Sequence, residues 1–351
     1  MKKSEELKLR SKVGNFNSIY GCTDYLINDG PARGTRAFSV KNGRGLTMTV
    51  VADRGLDIPY LAFEGQNMGF CSKTGMRAPG FFAEDGARGF LRQFFAGQLT
   101  TAGITYAGAP GEDGGEMLGL HGVYNNTPAE HVTAGIVYEG DDAVIRISGS
   151  VREARVFGPN VRLDRELFIE TENDVVRIHD TVTNLGFEDQ SLMLLYHINF
   201  GYPMLDAGAK IYLNAGKVVP RTPFAEEGMH NYDEMEEPGI GRDEQCYFHT
   251  EVKDAEGFAM IHNPKIGKAA IVSYDPKALP LLCEWKCMRA GDYALGLEPT
   301  TSGVLSRAET REAGGLQCIK AGESREFNVK LTYTKDLALI QKYIDAARKK
   351  A

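Results

Sequence analysis

Sustained alternation of apolar and polar residues is the feature that most restricts the fold of this chain. In Leu46-Thr47-Met48-Thr49-Val50 every second side chain is apolar, the signature of a strand with one face buried. The same texture recurs over residues 132–138, 143–150, 151–157, 161–170 and 175–183, then around 258–262, 269–274, 281–285, 293–298 and 326–333. Turn sequences such as Asn42-Gly43, Gly140-Asp141-Asp142 and Glu172-Asn173-Asp174 punctuate it. Many short strands, with no strand–helix alternation between them, predict an all-β chain built as a large antiparallel β-sandwich. The run Leu192-Met193-Leu194-Leu195-Tyr196 is apolar on both faces and reads as a central strand covered on both sides.

Helices are minor in this reading. Residues 4–13 predict a short helix ending at Gly14. Leu337, Ile340, Tyr343, Ile344 and Ala347 recur at helical spacing and predict an amphipathic helix over 335–349, packed on the sandwich. Residues 72–118 are glycine-rich and irregular, and predict short strands and loops that wall a pocket. The acidic stretch 226–237 reads as a solvated loop or a lid. No linker, low-complexity tract or fixed-period repeat divides the chain, so residues 1–351 are expected to form one domain.

Composition excludes several functions. A formal net charge of −7 lacks the basic footprint of a nucleic-acid binder. No apolar stretch approaches the roughly 20 residues that span a bilayer. The opening Met1-Lys2-Lys3-Ser4-Glu5-Glu6-Leu7-Lys8 leads into charge rather than an apolar core, so no signal peptide is expected and the reading is cytoplasmic. Six cysteines spread over the chain do not form a disulfide framework. Cys283 and Cys287 stand at C-x3-C spacing without a second pair, so no metal is expected.

Three titratable residues stand at the ends of apolar stretches. His121 lies between glycines in Gly119-Leu120-His121-Gly122. His197 ends the central apolar run, just before Asn199, and Glu298 ends Ala294-Leu295-Gly296-Leu297 with Pro299 expected to stop the strand. A buried carboxylate must find partners or act on something. Together the three suggest a pocket for acid–base chemistry. His179 alternates with Val176 and Ile178 and is expected to face solvent. His131, His230 and His249 sit in polar stretches, and His262, before Asn263-Pro264, is the other pocket candidate. Trp285 would make a stacking platform for a ring, or a core residue, and Lys286 must point to the opposite face.

The stretches Ala52-Asp53-Arg54-Gly55-Leu56-Asp57-Ile58, Gly97-Gln98-Leu99-Thr100-Thr101-Ala102-Gly103, Gly119-Leu120-His121-Gly122, His197-Ile198-Asn199-Phe200-Gly201-Tyr202-Pro203 and Gly296-Leu297-Glu298-Pro299-Thr300 resemble, in order and spacing, the aldose 1-epimerase (galactose mutarotase-like) superfamily. They look most like its DUF4432 branch. The resemblance implies an antiparallel sandwich whose concave face binds sugar, a mutarotase-type isomerase, and no cofactor. It assigns Glu298 as base, His197 as acid, and His121 as the group that polarises the ring oxygen or orients the sugar. Asn199 and Trp285 are expected to contact substrate. The Asn-Arg that precedes the first catalytic histidine of galactose mutarotases has no counterpart here. Arg54 or Arg92 is expected in that arginine's place, holding hydroxyl or acidic substituents through a forked donor.

The expected partner is a monosaccharide or sugar acid, with neither nucleic acid nor membrane; the sequence leaves the oligomeric state open. Two other functions compete. A non-catalytic sugar-binding protein on the same fold would need no acid–base trio. A lyase or hydrolase would ordinarily need a second carboxylate, which Asp233 or Glu234 would have to supply.

Overall fold

The computed structural model describes residues 1–348, and two large antiparallel sheets dominate it. The first runs, in spatial order, Gly21–Leu26, Arg36–Lys41, Leu46–Val51, Asp57–Phe63, Leu99–Ala102, Leu195–Phe200, Asp292–Thr300, Leu281–Arg289, Gln245–Thr250 and Lys217–Pro220. The second runs Glu130–Glu139, Asp142–Ala154, Asn160–Glu170, Val175–Asn184, Ser324–Thr334, Lys268–Tyr274, Gly257–Asn263 and Lys210–Leu213. In Asn160–Glu170 and Val175–Asn184 burial alternates residue by residue, as the period-two pattern requires. One apolar core draws on both sheets, with Ile58, Leu99, Tyr196 and Leu297 from the first and Ile147, Leu167, Ile178 and Val329 from the second. The fold is the expected β-sandwich.

A polar tie crosses this core behind the central strand. Arg165, fully buried on the second sheet, reaches Asp57 of the first at 3.0 Å and Asp180 at 2.7 Å. Tyr196 donates to the same Asp180 at 2.8 Å, and Asp57 accepts from the Thr101 amide and hydroxyl. Buried charge is tolerable only when paired and hydrogen-bonded, and here every partner comes from another strand. The tie fixes Leu195–Phe200 from behind. Tyr196 faces the core, so its neighbour His197 faces the other way.

Several expectations change in detail. Residues 143–150 and 151–157 belong to one strand, Asp142–Ala154. Gly149 does not break it; the glycine admits a close neighbour, since a Cβ there would lie 3.2 Å from the Glu130 carbonyl. Pro299 does not stop its strand, which runs to Thr300; near a strand end the missing N–H costs little. The N-terminal helix is shorter than expected, a 3-10 turn Lys3–Glu5 and then Glu6–Arg10, with no side chain buried to extend it. The C-terminal helix is Leu337–Arg348, resting Ile340 and Ile344 on Phe258, Met260 and Ile271; Lys349 lies outside the described residues. No helix among the described residues is long and apolar enough to cross a membrane.

Residues 72–118 do contribute a wall, through the short helix Gly86–Leu91 and its flanking loops. The acidic stretch is pinned from below. Lys286, fully buried, donates to the Asn231 and Glu234 carbonyls at 2.7 and 2.8 Å, and the Tyr293 hydroxyl holds the Glu236 carbonyl.

Candidate active site

The first sheet carries a cavity of about 770 Å³ on its face away from the core. Register decides what meets there. Leu195 pairs with Thr300 and Asn199 with Gly296, which sets His197 opposite Glu298 on the adjoining strand. Glu298 in turn pairs with Cys283. His197 Nδ1 approaches Glu298 Oε1 to 3.0 Å, out of line for a directed hydrogen bond, and among the described residues neither atom has a hydrogen-bond partner.

His121 arrives from a loop. Its φ of 60° is left-handed, and Gly122 follows at 69°. A Cβ on Gly122 would meet the Tyr106 carbonyl at 2.3 Å, so this turn requires the glycine. The turn lays the His121 ring edge-on to His197, with centroids 5.8 Å apart. Its Nδ1 stands 2.7 Å from the Ala107 carbonyl, which only an N–H can satisfy. The proton therefore sits on Nδ1, and Nε2 is left as an acceptor.

Aromatic rings dry this corner. Phe90 packs edge-on to His121 at 4.8 Å, and Phe94 and Trp285 lie 5.0 and 5.3 Å from His197. Burial consequently opposes charge on all three groups. It pushes His121 down to about 4. It pushes His197 well below the usual histidine value, with repulsion from His121 adding to it. It raises Glu298 well above the usual carboxylate value, reinforced by Cys246 and Glu244. His197 and Glu298 thus prefer to share one proton between them rather than hold two or none.

The family model for the domain of unknown function DUF4432 matches residues 32–333. The chain belongs to the DUF4432 family. Solved structures share the fold of this DUF4432 protein. A Klebsiella pneumoniae protein provisionally named aldose 1-epimerase superposes with a TM-score of 0.88 at 24% identity, covering 97% of this chain and 90% of its own. A galactose mutarotase-like protein of Clostridium acetobutylicum gives 0.60 at 13% identity, over 91% and 99%. The galactose 1-epimerase of Lactobacillus acidophilus gives 0.57 at 12%, over 90% and 99%. No curated protein matches the chain. The fold of the DUF4432 protein is that of the galactose mutarotase-like sandwiches.

Of the residues singled out in the sequence, His121, His197, Glu298 and Trp285 line the cavity of the DUF4432 protein. Arg54, Arg92 and Asn199 do not. Arg54 is fully buried and spends its guanidinium on the carbonyls of Asn125, Arg77 and Gln93. Arg92 is exposed and stands 3.6 Å from Asp85. Asn199 is buried beside the site and donates to the Ala96 and His197 carbonyls, bracing the strand rather than facing the cavity. His262 is outside the cavity, as are Asp233 and Glu234, which removes the second carboxylate that a hydrolase was expected to draw from that loop. His179 is half-buried on the outer face of its sheet, where it meets Asn328 and alternates with the buried Ile178 and Asp180. His249, in a polar stretch, is instead buried 2.8 Å from Glu284 on the opposite sheet face.

The cavity also holds residues that sequence reasoning did not place there: Phe90, Phe94, Arg221, Glu244, Cys246, Cys283 and Cys287. Cys283 and Cys287 share the strand parity of Trp285, a signal that was available. Four residues of one strand separate them by roughly 13 Å, too far to share one metal ion. Cys246 and Arg221 face the cavity through pairings that no local pattern announces.

Proposed function

We propose that this protein is a carbohydrate isomerase of the aldose 1-epimerase type, opening and reclosing the ring of a monosaccharide or sugar acid. The observation that carries the reading is the 3.0 Å approach of His197 to Glu298 in a dry corner beside a neutral His121. Mutarotation asks for a base at the C1 hydroxyl and an acid at the ring oxygen, and both oxygens are bonded to one carbon. Two groups this close can reach both.

With the shared proton on His197, Glu298 is a carboxylate and takes the proton of the C1 hydroxyl. His197 gives its proton to the ring oxygen as the bond from C1 breaks and the C1 carbonyl forms. The pair then holds its proton on Glu298, the arrangement that burial favours. Rotation about C1–C2 presents the other carbonyl face, and the reverse transfers close the ring and restore the pair. His121, neutral with Nε2 free, accepts from a sugar hydroxyl and so orients the ring; without a second proton it cannot polarise the ring oxygen.

The test is to follow freshly dissolved single anomers of neutral sugars and sugar acids by exchange NMR, with and without the protein. Acceleration beyond the spontaneous rate supports the isomerase. Binding with no acceleration for any sugar would leave a binding protein.

A further inference from the structure

The cavity contains a cation that the acid–base pair does not use. Arg221 follows the edge strand Lys217–Pro220 and extends its ladder, its amide donating to the Cys246 carbonyl at 2.9 Å. That pairing turns its side chain to the cavity face, where Nη1 lies 3.9 Å from Cys246 Sγ. Cys246 pairs with Trp285, and Trp285 with Gly296, so Arg221, Cys246, Trp285 and Gly296 form one row across four strands. The Glu298 carboxylate folds back into this row, since a Cβ on Gly296 would meet Oε1 at 2.0 Å. The row therefore has the proposed base at one end and a guanidinium at the other, with Trp285 and Cys246 as floor. From the Glu298 strand to the Cys246 strand is two strand spacings, roughly 10 Å.

The other cations of the cavity are occupied or remote. Lys73 pairs with Asp292 at 2.7 Å and Arg242 with Glu236 at 2.5 Å. Arg289 lies six residues along its strand from Cys283, the partner of Glu298, so roughly 20 Å from the reacting end. Among the described residues, no carboxylate pairs with Arg221. Its charge is nonetheless felt at His121 and Glu298, where it opposes protonation.

We propose that Arg221 is the specificity residue of the cavity and that the sugar it selects carries a carboxylate remote from the anomeric carbon, that is, a free uronic acid. This rests on the isomerase reading for the position of the anomeric carbon. A guanidinium stays charged and offers two parallel N–H donors that match a planar carboxylate. With its anomeric carbon at Glu298, a pyranose spans the Trp285–Cys246 floor and its C6 substituent meets Arg221. One unpaired guanidinium balances one negative charge. A phosphate ester would bring nearly two, into a cavity already lined by Asp243 and Glu244.

The experiment measures anomer exchange by NMR, and binding by calorimetry, for D-glucuronate and D-galacturonate against D-glucose, D-galactose and D-glucose 6-phosphate. It uses the full chain and its Arg221→Gln, Arg221→Lys and Arg289→Gln variants. Arg221 is exposed at a sheet edge, and a matching melting temperature establishes that its variants are folded. A uronate is expected to be preferred over its neutral counterpart. Arg221→Gln should cut that preference roughly 10- to 100-fold, the worth of a hydrogen bond to a charged group. Arg221→Lys should restore part of it, and Arg289→Gln should leave it unchanged. Equal handling of uronates and neutral sugars, a preference for the phosphate ester, no interaction with any uronate, or a preference untouched by Arg221→Gln would each overturn the proposal. Uronate binding that depends on Arg221 without faster exchange would uphold the recognition site and sink the isomerase.

Discussion

The carboxylate of Glu298 occupies the space above Gly296, where a Cβ would sit 2.0 Å from Oε1 and 3.1 Å from the Cβ of Trp285. Two residues apart on one strand, they share a face, and the glycine leaves room for the acid to fold back toward the cavity row. Gly296 has an ordinary strand conformation, outside the left-handed region, so alanine suits its backbone. Gly296→Ala should therefore fold and melt near the parent temperature while displacing the carboxylate. A displacement of about 1 Å costs on the order of 100-fold in rate. Exchange NMR beside a thermal melt checks both halves. Near-parent exchange would show that the carboxylate position above Gly296 does not matter.

Removing the proposed base outright gives a sharper comparison. Glu298→Gln retains the shape and the apolar setting, and should lose about 10²–10⁴-fold in anomer exchange while sugar binding persists. His197→Asn should lose a similar factor, and Glu298→Gln combined with it should lose little more, because the two act as one proton-sharing unit. His179→Asn, on the outer face of the far sheet beside Asn328 and away from the cavity, should change nothing. Full activity in Glu298→Gln would remove the residue from the mechanism.

The acid–base trio was legible because titratable groups ending apolar runs are anomalous: burial must be compensated, and the sequence shows no local partner. What stayed hidden depends on pairings between distant segments. Arg54 and Arg221 look alike as letters. One is fully buried and its guanidinium is taken by three carbonyls; the other is turned to the cavity, beside Cys246, because the edge strand 217–220 happens to lie against 245–250. Strand parity was readable within each strand, as at Cys283, Trp285 and Cys287. Which strands adjoin was not, so the cavity row could not be assembled. The long strand Asp142–Ala154 reads locally as two, 143–150 and 151–157, because its continuity is set by the unbroken pairing with Asn160–Glu170 rather than by a pattern within it.

Stability should depend heavily on the tie behind the site. Arg165 neutralises Asp57 and Asp180 in a setting with no solvent exposure. Replacing it with methionine leaves two carboxylates buried without their cation. Breaking such a pair typically costs about 3–5 kcal/mol, so the denaturation midpoint of Arg165→Met should fall steeply. The double variant Arg165→Met with Asp180→Leu should recover part of the loss, because it also removes one stranded charge. Urea titrations of the two variants decide the matter; a single variant as stable as the parent would show that the tie contributes nothing.

The pH profile follows from the sign of each shift. Activity needs exactly one proton on the His197–Glu298 pair. Adding a second places a net positive charge in the dry corner, which burial and the neighbouring His121 disfavour, so the acid limb should lie below the usual histidine value of 6.5. Losing the last proton leaves an uncompensated carboxylate, which burial disfavours in turn, so the alkaline limb should lie above the usual carboxylate value of 4.5. The two limbs belong to the pair, not to either residue alone. His121 takes up its own proton only near pH 4, where it ceases to accept from the sugar and steepens the acid side. The expected profile of kcat/KM, after subtraction of the spontaneous reaction, is a bell with its acid limb below 6.5 and its alkaline limb above 4.5. An acid limb centred above pH 6.5 would mean that the active form carries no shared proton, and the roles given to His197 and Glu298 would have to be abandoned.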